Sequence, residues 1–403
     1  MNTQIIHVPE GTITSPAGFQ AGAICAPIKA KNRLGLAILY SENRCSAAGV
    51  FTTNTVKAPS VLLSQKHLSN GNACAIVANS GCANACMGEQ GINDAKEIIN
   101  LTAEKLNISP EDVLIASTGV IGMPLPMNNI RRGIKSIKIS PHGGHEMAQA
   151  IITTDTRTKE IAVNCEIAQR KITIGGIAKG AGMLCPDMAT MLCFLTTDAA
   201  IESSCLQSIL KNVADDTYNM LNIDGDTSTN DTVICLANGA CGNKIIRDNT
   251  PEAALFQLAL SEVCHFLTKE LARDAEGATK LIEVTVESAQ SITDARQAAH
   301  TIVGSSLVKA AIYGSEANWG RVFAALGRSK IKIEPTKVDI FMADICVVKN
   351  GCPVRFDQKD IVAKLHNKEV NIKVCLNDGH YKATAWGCDL TQEYVIINSS
   401  MIT

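Results

Sequence analysis

Strand-like and helix-like stretches alternate along most of this chain of 403 residues, with no repeat or low-complexity tract between them. Short apolar runs bounded by turn residues read as strands. They are GLAILYS (35–41), ACAIVANS (73–80), KEIAVNCEIA (159–168), RKITIGGIA (170–178), MLCFLTTDA (191–199), DTVICLAN (231–238) and KLIEVTVES (280–288). Apolar positions spaced three and four apart mark helices over 94–106, where Asn93-Asp94 offers a cap, and over 203–221, 251–272 and 294–312. Beyond about Lys330 the runs shorten and alternate with turn residues, which predicts a mostly β module ending in a strand, EYVIIN. Long helices beside hairpin-like strand pairs point to a layered α+β fold and away from a Rossmann fold.

An apolar share of 46% supplies a large core and excludes a disordered chain. Basic and acidic residues nearly cancel (37 against 39), so there is no electrostatic footprint for a phosphate backbone. Aromatics at 4% leave no stacking platform for single strands, and nucleic acid is excluded as a partner. The opening MNTQIIHVPEGTITSPAG lacks a basic segment followed by an apolar core. No run approaches the ~18 apolar residues of a membrane span. A cytoplasmic protein without a membrane partner is therefore expected.

Most of the sixteen cysteines sit singly in apolar runs, as Cys74, Cys193 and Cys235 do, where a thiol acts as a small buried hydrophobe. No C-x2-C pair occurs, and Cys82 and Cys86 lack a third ligand, so no metal is expected. DGDTSTND (224–231) resembles a calcium loop only superficially, with Thr229 where glycine is needed and Cys235 where glutamate is needed. His142 and His145 read as part of a solvated loop before a helix.

The most unusual stretch is GGIAKGAGMLCPDMATMLCFLTTDA (175–199), two apolar strands joined through a glycine-rich bend. Lys179 precedes the glycines and no G-K-[ST] follows, so this is not a Walker phosphate loop. Taken alone it is a connection between strands. By the same standard Ser117-Thr118-Gly119 is a strand-end turn and Glu276 an exposed helix-end carboxylate.

KGAGMLCPDMATML (179–192) resembles the self-processing motif of the ornithine acetyltransferase (glutamate N-acetyltransferase) family of arginine biosynthesis. The likeness continues in order through NSGCANAC (79–86), ASTGVIG (116–122), ITTDT (152–156), DGDTSTNDTV (224–233), EGATK (276–280), NWGRV (318–322) and AWGCDLTQEYVIIN (385–398). It implies a layered α/β/β/α-type core similar to N-terminal-nucleophile enzymes. It also implies a precursor that cuts its own Ala189–Thr190 bond, giving an α chain of 1–189 and a β chain of 190–403 in an α2β2 assembly. Thr190 would then be nucleophile and carry a free α-amine, whose ordinary pKa near ~7.7–8.0 suits a general base at neutral pH.

The same likeness assigns the oxyanion donors to Thr118 and Gly119, and substrate contacts to Thr153 (beside Thr154), Lys179, Thr190, Glu276, Asn398 and Thr403. The implied reaction is ping-pong acetyl transfer from N2-acetyl-L-ornithine to L-glutamate without a cofactor. Acetyl-CoA is a second acetyl donor in some members; no residue decides the matter here, and a bifunctional enzyme is the reading adopted. Two departures, Cys82 where the family more often has Asn and Glu316-Ala317 where Asp-Pro is common, fall outside the reacting positions. A self-cleaving amidase or aminopeptidase, which would admit water to the acyl-threonine, is the rival enzyme reading. A non-catalytic binding module is disfavoured, because it would need no nucleophile at a scissile bond.

Overall fold

The computed structural model describes residues 4–28, 32–183 and 191–400. Ala189, Thr190 and Thr403 lie outside the described residues. The seven strands expected from the sequence all form, and one of them is much longer than its apolar run. After β1 (Ile6–His7) and β2 (Phe19–Ile24), β3 extends over Leu36–Phe51. Its first part pairs with β2 and with β4 (Asn72–Cys82), which follows α1 (Pro59–His67), while its last six residues pair with a strand from far along the chain.

Next come α2 (Gly88–Leu106), β5 (Val113–Val120), α3 (Met127–Ser136), α4 (Gly144–Ile151), β6 (Lys159–Ile167) and β7 (Arg170–Lys179). β8 (Leu192–Thr197) pairs antiparallel with β7 across the glycine-rich bend. After α5 (Ser203–Asp216) and β9 (Leu221–Asn222), β10 (Thr232–Ala237) inserts between β8 and β3. The result is one nine-stranded sheet in the order β1-β6-β7-β8-β10-β3-β4-β5, with β2 on β3.

Alternation of side chains folds this sheet back on itself. Leu39, Ile76 and Leu114 from the β3–β5 half share one buried cluster with Ile177, Phe194 and Ile234 from the β7–β8–β10 half. The opposite faces carry helices. Ile38, Val77 and Ile115 pack on Ile98 of α2 and Ile130 of α3. Ile174, Leu195 and Cys235 pack on Leu206 of α5 and on Phe256 of α6 (Pro251–Arg273). The layers therefore run helix, sheet, sheet, helix.

A second sheet packs beyond α6, which touches β6 and β7 on one side and the newcomer on the other. It is built from β11 (Leu281–Ala289), then, after α7 (Ile292–Val303), α8 (Ser306–Tyr313) and α9 (Trp319–Gly327), from β12 (Asp339–Met342), β13 (Ile345–Lys349) and β14 (Cys352–Pro353). Past α10 (Gln358–Leu365) it is completed by β15 (Glu369–Cys375) and β16 (Tyr381–Cys388), with β9 at its edge. This sheet contains the β-rich stretch expected beyond Lys330, but β9 and β11 join it from earlier in the chain. Among the described residues no helix is long and apolar enough to cross a membrane.

Three local expectations are corrected. EYVIIN is not a strand but part of α11 (Gln392–Ser400). There Thr391 accepts the Tyr394 N–H at 3.2 Å, an N-cap contact that overrides the β preference of Val395 and Ile396. The helix expected over 294–312 is two, because the Ser305 hydroxyl accepts the Val308 N–H and starts α8 afresh. α2 begins at Gly88, so Asn93-Asp94 lies inside it and not at its cap.

Candidate active site

The ends of β5 and β7, which come from opposite halves of the folded sheet, meet where Lys179 reaches Thr118. They line a cavity of about 660 Å³ together with residues 152–155, 182–183 and 228–230, Asp224, Asp226, Glu276 and α11. Five of the expected site residues gather there: Thr118 and Gly119 from β5, Thr153, Lys179 from β7, and Glu276; Asn398 of α11 is the sixth. The contributions of Ala189, Thr190 and Thr403 fall outside the described residues.

Gly119 has φ of 126°, and a Cβ there would lie 2.3 Å from the Gly81 carbonyl carbon of β4. Only glycine fits both demands. Its neighbour Thr118 is buried, and the Thr118 hydroxyl accepts from Lys179 Nζ at 3.2 Å. That is the one hydrogen bond of the Lys179 ammonium among the described residues, although an ammonium has three donors. Burial lowers the Lys179 pKa, and the carboxylates of Asp155, Asp231 and Glu276 pull it back up.

Glu276, reached through Ala275 after α6, is 8% exposed and so not the solvated carboxylate that its sequence setting suggests. The amide of Asn398 donates to Glu276 Oε2 at 2.8 Å, which fastens α11 over the cavity. A Cβ on Gly182 would come within 2.4 Å of the same carboxylate, so a side chain there would push Glu276 from its place. Tyr394, one turn earlier on α11, donates to Asp224 at 3.4 Å, and its burial raises the phenol pKa.

The bend itself is tied at three points. Gly180 N–H donates to Asp155 Oδ1 at 2.7 Å, Glu276 N–H donates to the Ala181 carbonyl at 2.9 Å, and Met183 N–H donates to Asp224 Oδ2 at 2.6 Å. On the far side of residues 184–190, Met191 N–H donates to Asp231 Oδ1 at 2.9 Å. One acidic loop, 224–231, thus grips the chain on both sides of the expected scissile bond. Asp155 also accepts the Thr153 N–H at 3.0 Å, shaping the loop that carries that residue.

Sequence reasoning missed Asp155, Asp224 and Asp231 as site residues. The blocks ITTDT and DGDTSTND were the available signal, but an aspartate that accepts backbone N–H groups looks in sequence like any turn aspartate.

The family model of the ArgJ family matches residues 20–403. The chain belongs to the ArgJ family. It is 50% identical to the arginine biosynthesis bifunctional protein ArgJ of Dehalococcoides mccartyi over 405 aligned positions, covering 100% of each chain. The ArgJ protein of the same name from Symbiobacterium thermophilum is 49% identical, with 98% of this chain and 99% of the relative covered. A crystal structure of the bifunctional argJ protein from Bacillus halodurans is 42% identical with a TM-score of 0.50. The match takes in 51% of this chain and 97% of that one. ArgJ membership and the α+β fold thus agree with the expectations from sequence.

Proposed function

We propose that the chain is an acetyltransferase of arginine biosynthesis that cuts itself before Thr190 and then moves an acetyl group from N2-acetyl-L-ornithine to L-glutamate. The observation that carries this reading is the state of Lys179. It is a fully enclosed cation with two donors unmatched among the described residues, facing a cavity that also holds Thr118, Gly119 and Glu276. A carboxylate of an amino acid is the partner such an ammonium lacks.

The chemistry follows in order. Thr190 Oγ adds to the Ala189 carbonyl carbon, the C–N bond breaks, and the hydroxyl proton ends on the released nitrogen, leaving an ester that water hydrolyses. The new α-amine then takes the Thr190 hydroxyl proton while Oγ attacks the acetyl carbonyl of acetylornithine. Thr118 and the Gly119 N–H receive the oxyanion, ornithine leaves with a proton, and glutamate nitrogen collects the acetyl group by the reverse steps. Glu276 supplies an anion for the ornithine ammonium, and α11 helps close the cavity against water.

Two features support scission. The acidic loop fixes both flanks of the segment. The matched Bacillus halodurans chain also spans about half of this one, as a chain divided near residue 190 would. The bifunctional name of the relatives supports acetyl-CoA as a second donor. An α2β2 assembly belongs to the same proposal.

Intact-mass measurement tests it directly. Wild-type protein should give two fragments meeting at 189/190, and Thr190→Ala one uncut and inactive chain. Active wild-type protein with an unbroken chain overturns the reading. Donor assays with acetylornithine and with acetyl-CoA separate one activity from two.

A further inference from the structure

The peptides around Thr118 and Gly119 are fixed by a neutral side chain from far along the chain. Asn230 lies two residues before β10, buried in the wall of the cavity. Its Nδ2 donates to the Ser117 carbonyl at 2.9 Å and to the Ala83 carbonyl at 2.7 Å. Its Oδ1 accepts the Thr229 hydroxyl at 2.6 Å. The opposite orientation of the amide would set its oxygen against two carbonyl oxygens, so only this one is satisfied. Both N–H groups are spent on main chain, and none is left for a substrate.

The contacts bracket the two expected oxyanion donors. The Ser117 carbonyl belongs to the peptide that enters Thr118. Just past Gly119, the Val120 carbonyl accepts the Ala83 N–H at 2.9 Å. Ala83 thus ties down the far end of Thr118-Gly119, and Asn230 joins it to the near end. The ladder between β4 and β5 shifts register between Gly81 and Cys82, beside these residues, so regular pairing alone does not set their place. A second amide reinforces the belt: the Ser117 hydroxyl donates to Asn79 Oδ1 at 2.7 Å, and Asn79 Nδ2 donates to the Cys82 carbonyl at 2.9 Å.

We propose that Asn230 is the positioning residue of the oxyanion hole, its one amide holding the Thr118 hydroxyl and the Gly119 N–H in a single fixed arrangement. The inference rests on the reading of Thr118 and Gly119 as oxyanion donors. Such donors stabilise the developing charge fully only if they are in place beforehand, since a loose pair must reorganise during the reaction. Without Asn230 the Ser117 and Ala83 carbonyls turn toward other donors, and the peptides that carry Thr118 and Gly119 turn with them.

Asn230→Ala should lower kcat per cut molecule by roughly 10- to 100-fold with KM for both amino acids little changed, because the donors act on the transition state. Intact mass supplies the cut fraction. Where this variant fails to fold or to be cut, Asn230→Ser, which keeps one donor, carries the same test. An unchanged kcat overturns the inference, and so does a loss confined to KM, which would make Asn230 a substrate contact.

Two comparisons exclude a merely structural role. Asn243 does not line the cavity, yet its amide is bound to main chain in the same way, donating to the Ala200 carbonyl at 3.0 Å and the Lys244 carbonyl at 2.7 Å. Asn243→Ala should lower Tm about as much and leave kcat per cut molecule unchanged; an equal loss of kcat overturns the inference. In the double variant Asn230→Ala/Thr118→Ala the two losses of kcat should combine to less than their product, because both act through one hole. A full product overturns the inference. Thr118→Ala with undiminished kcat overturns the oxyanion reading itself, whereas a loss there with none in Asn230→Ala overturns only the role of Asn230.

Discussion

Two buried lysines on adjacent strands show how differently this fold treats a charge. Lys159 on β6 gives its three donors to Asp155 Oδ1 at 2.7 Å, Asp274 Oδ2 at 2.6 Å and the Arg157 carbonyl at 3.5 Å. Lys179 on β7 has only the Thr118 hydroxyl among the described residues. Asp274 is itself held by the Thr156 N–H and hydroxyl, so the first network is closed. The second is open on the cavity side. A buried ion with its partners in place is structural, and one lacking them fits the substrate-binding role proposed for Lys179.

Substitutions at the two positions should therefore separate stability from capture. Lys159→Met strands two buried carboxylates and should cost about 3–5 kcal/mol, measured by denaturant unfolding. Lys179→Met should cost less than that, since its attraction to Asp155 and one hydrogen bond are lost but no closed network is broken. It should instead lower kcat/KM by roughly 100-fold, or about 2.7 kcal/mol, mainly through KM for both amino acids. Equal stability losses at the two sites would erase the distinction.

Acid sharpens the same contrast. The Asp155 carboxyl is held at about 2 by the cations of Lys179 and Lys159 and the Gly180 N–H, which outweigh its burial. A carboxylate depressed below its usual 3.8 contributes stability that is complete above pH ~4 and is lost as pH falls toward ~2. Unfolding followed by circular dichroism should show this loss in that window, and Lys159→Met should move it to higher pH. At the mouth of the cavity, Asn398→Ala removes one hydrogen bond to Glu276 and should change kcat/KM only a few-fold, with a stability change of about 1 kcal/mol or less.

The layered architecture was legible because each half of the folded sheet alternates inward and outward side chains, over six recognisable apolar runs in all. The length of β3 was not. Residues 42–51, ENRCSAAGVF, carry no apolar pattern, and the last six of them are held as strand by pairing with β10. α11 failed for the converse reason: its residues favour strands, but Tyr394 and Asn398 bind Asp224 and Glu276 only if one helical turn separates them. Within the site, Lys179, Thr118, Gly119, Thr153, Glu276 and Asn398 were named through the family motifs and line one cavity, since periodicity alone marks none of them. The aspartates that grip backbone N–H groups stayed hidden, because that role depends on which distant segment passes overhead.

The antiparallel ladder between β7 and β8 runs right up to the bend, from Ile174↔Thr197 to Lys179↔Leu192. A break anywhere between residues 183 and 191 would leave two polypeptides still stitched into one continuous sheet, with β10 further wedging the downstream piece against β3. Neither piece has a complete interior of its own, and each made separately would bare a sticky strand edge. Under the proposed scission, maturation would be a one-way mark, written after folding and carried without any loosening of the molecule.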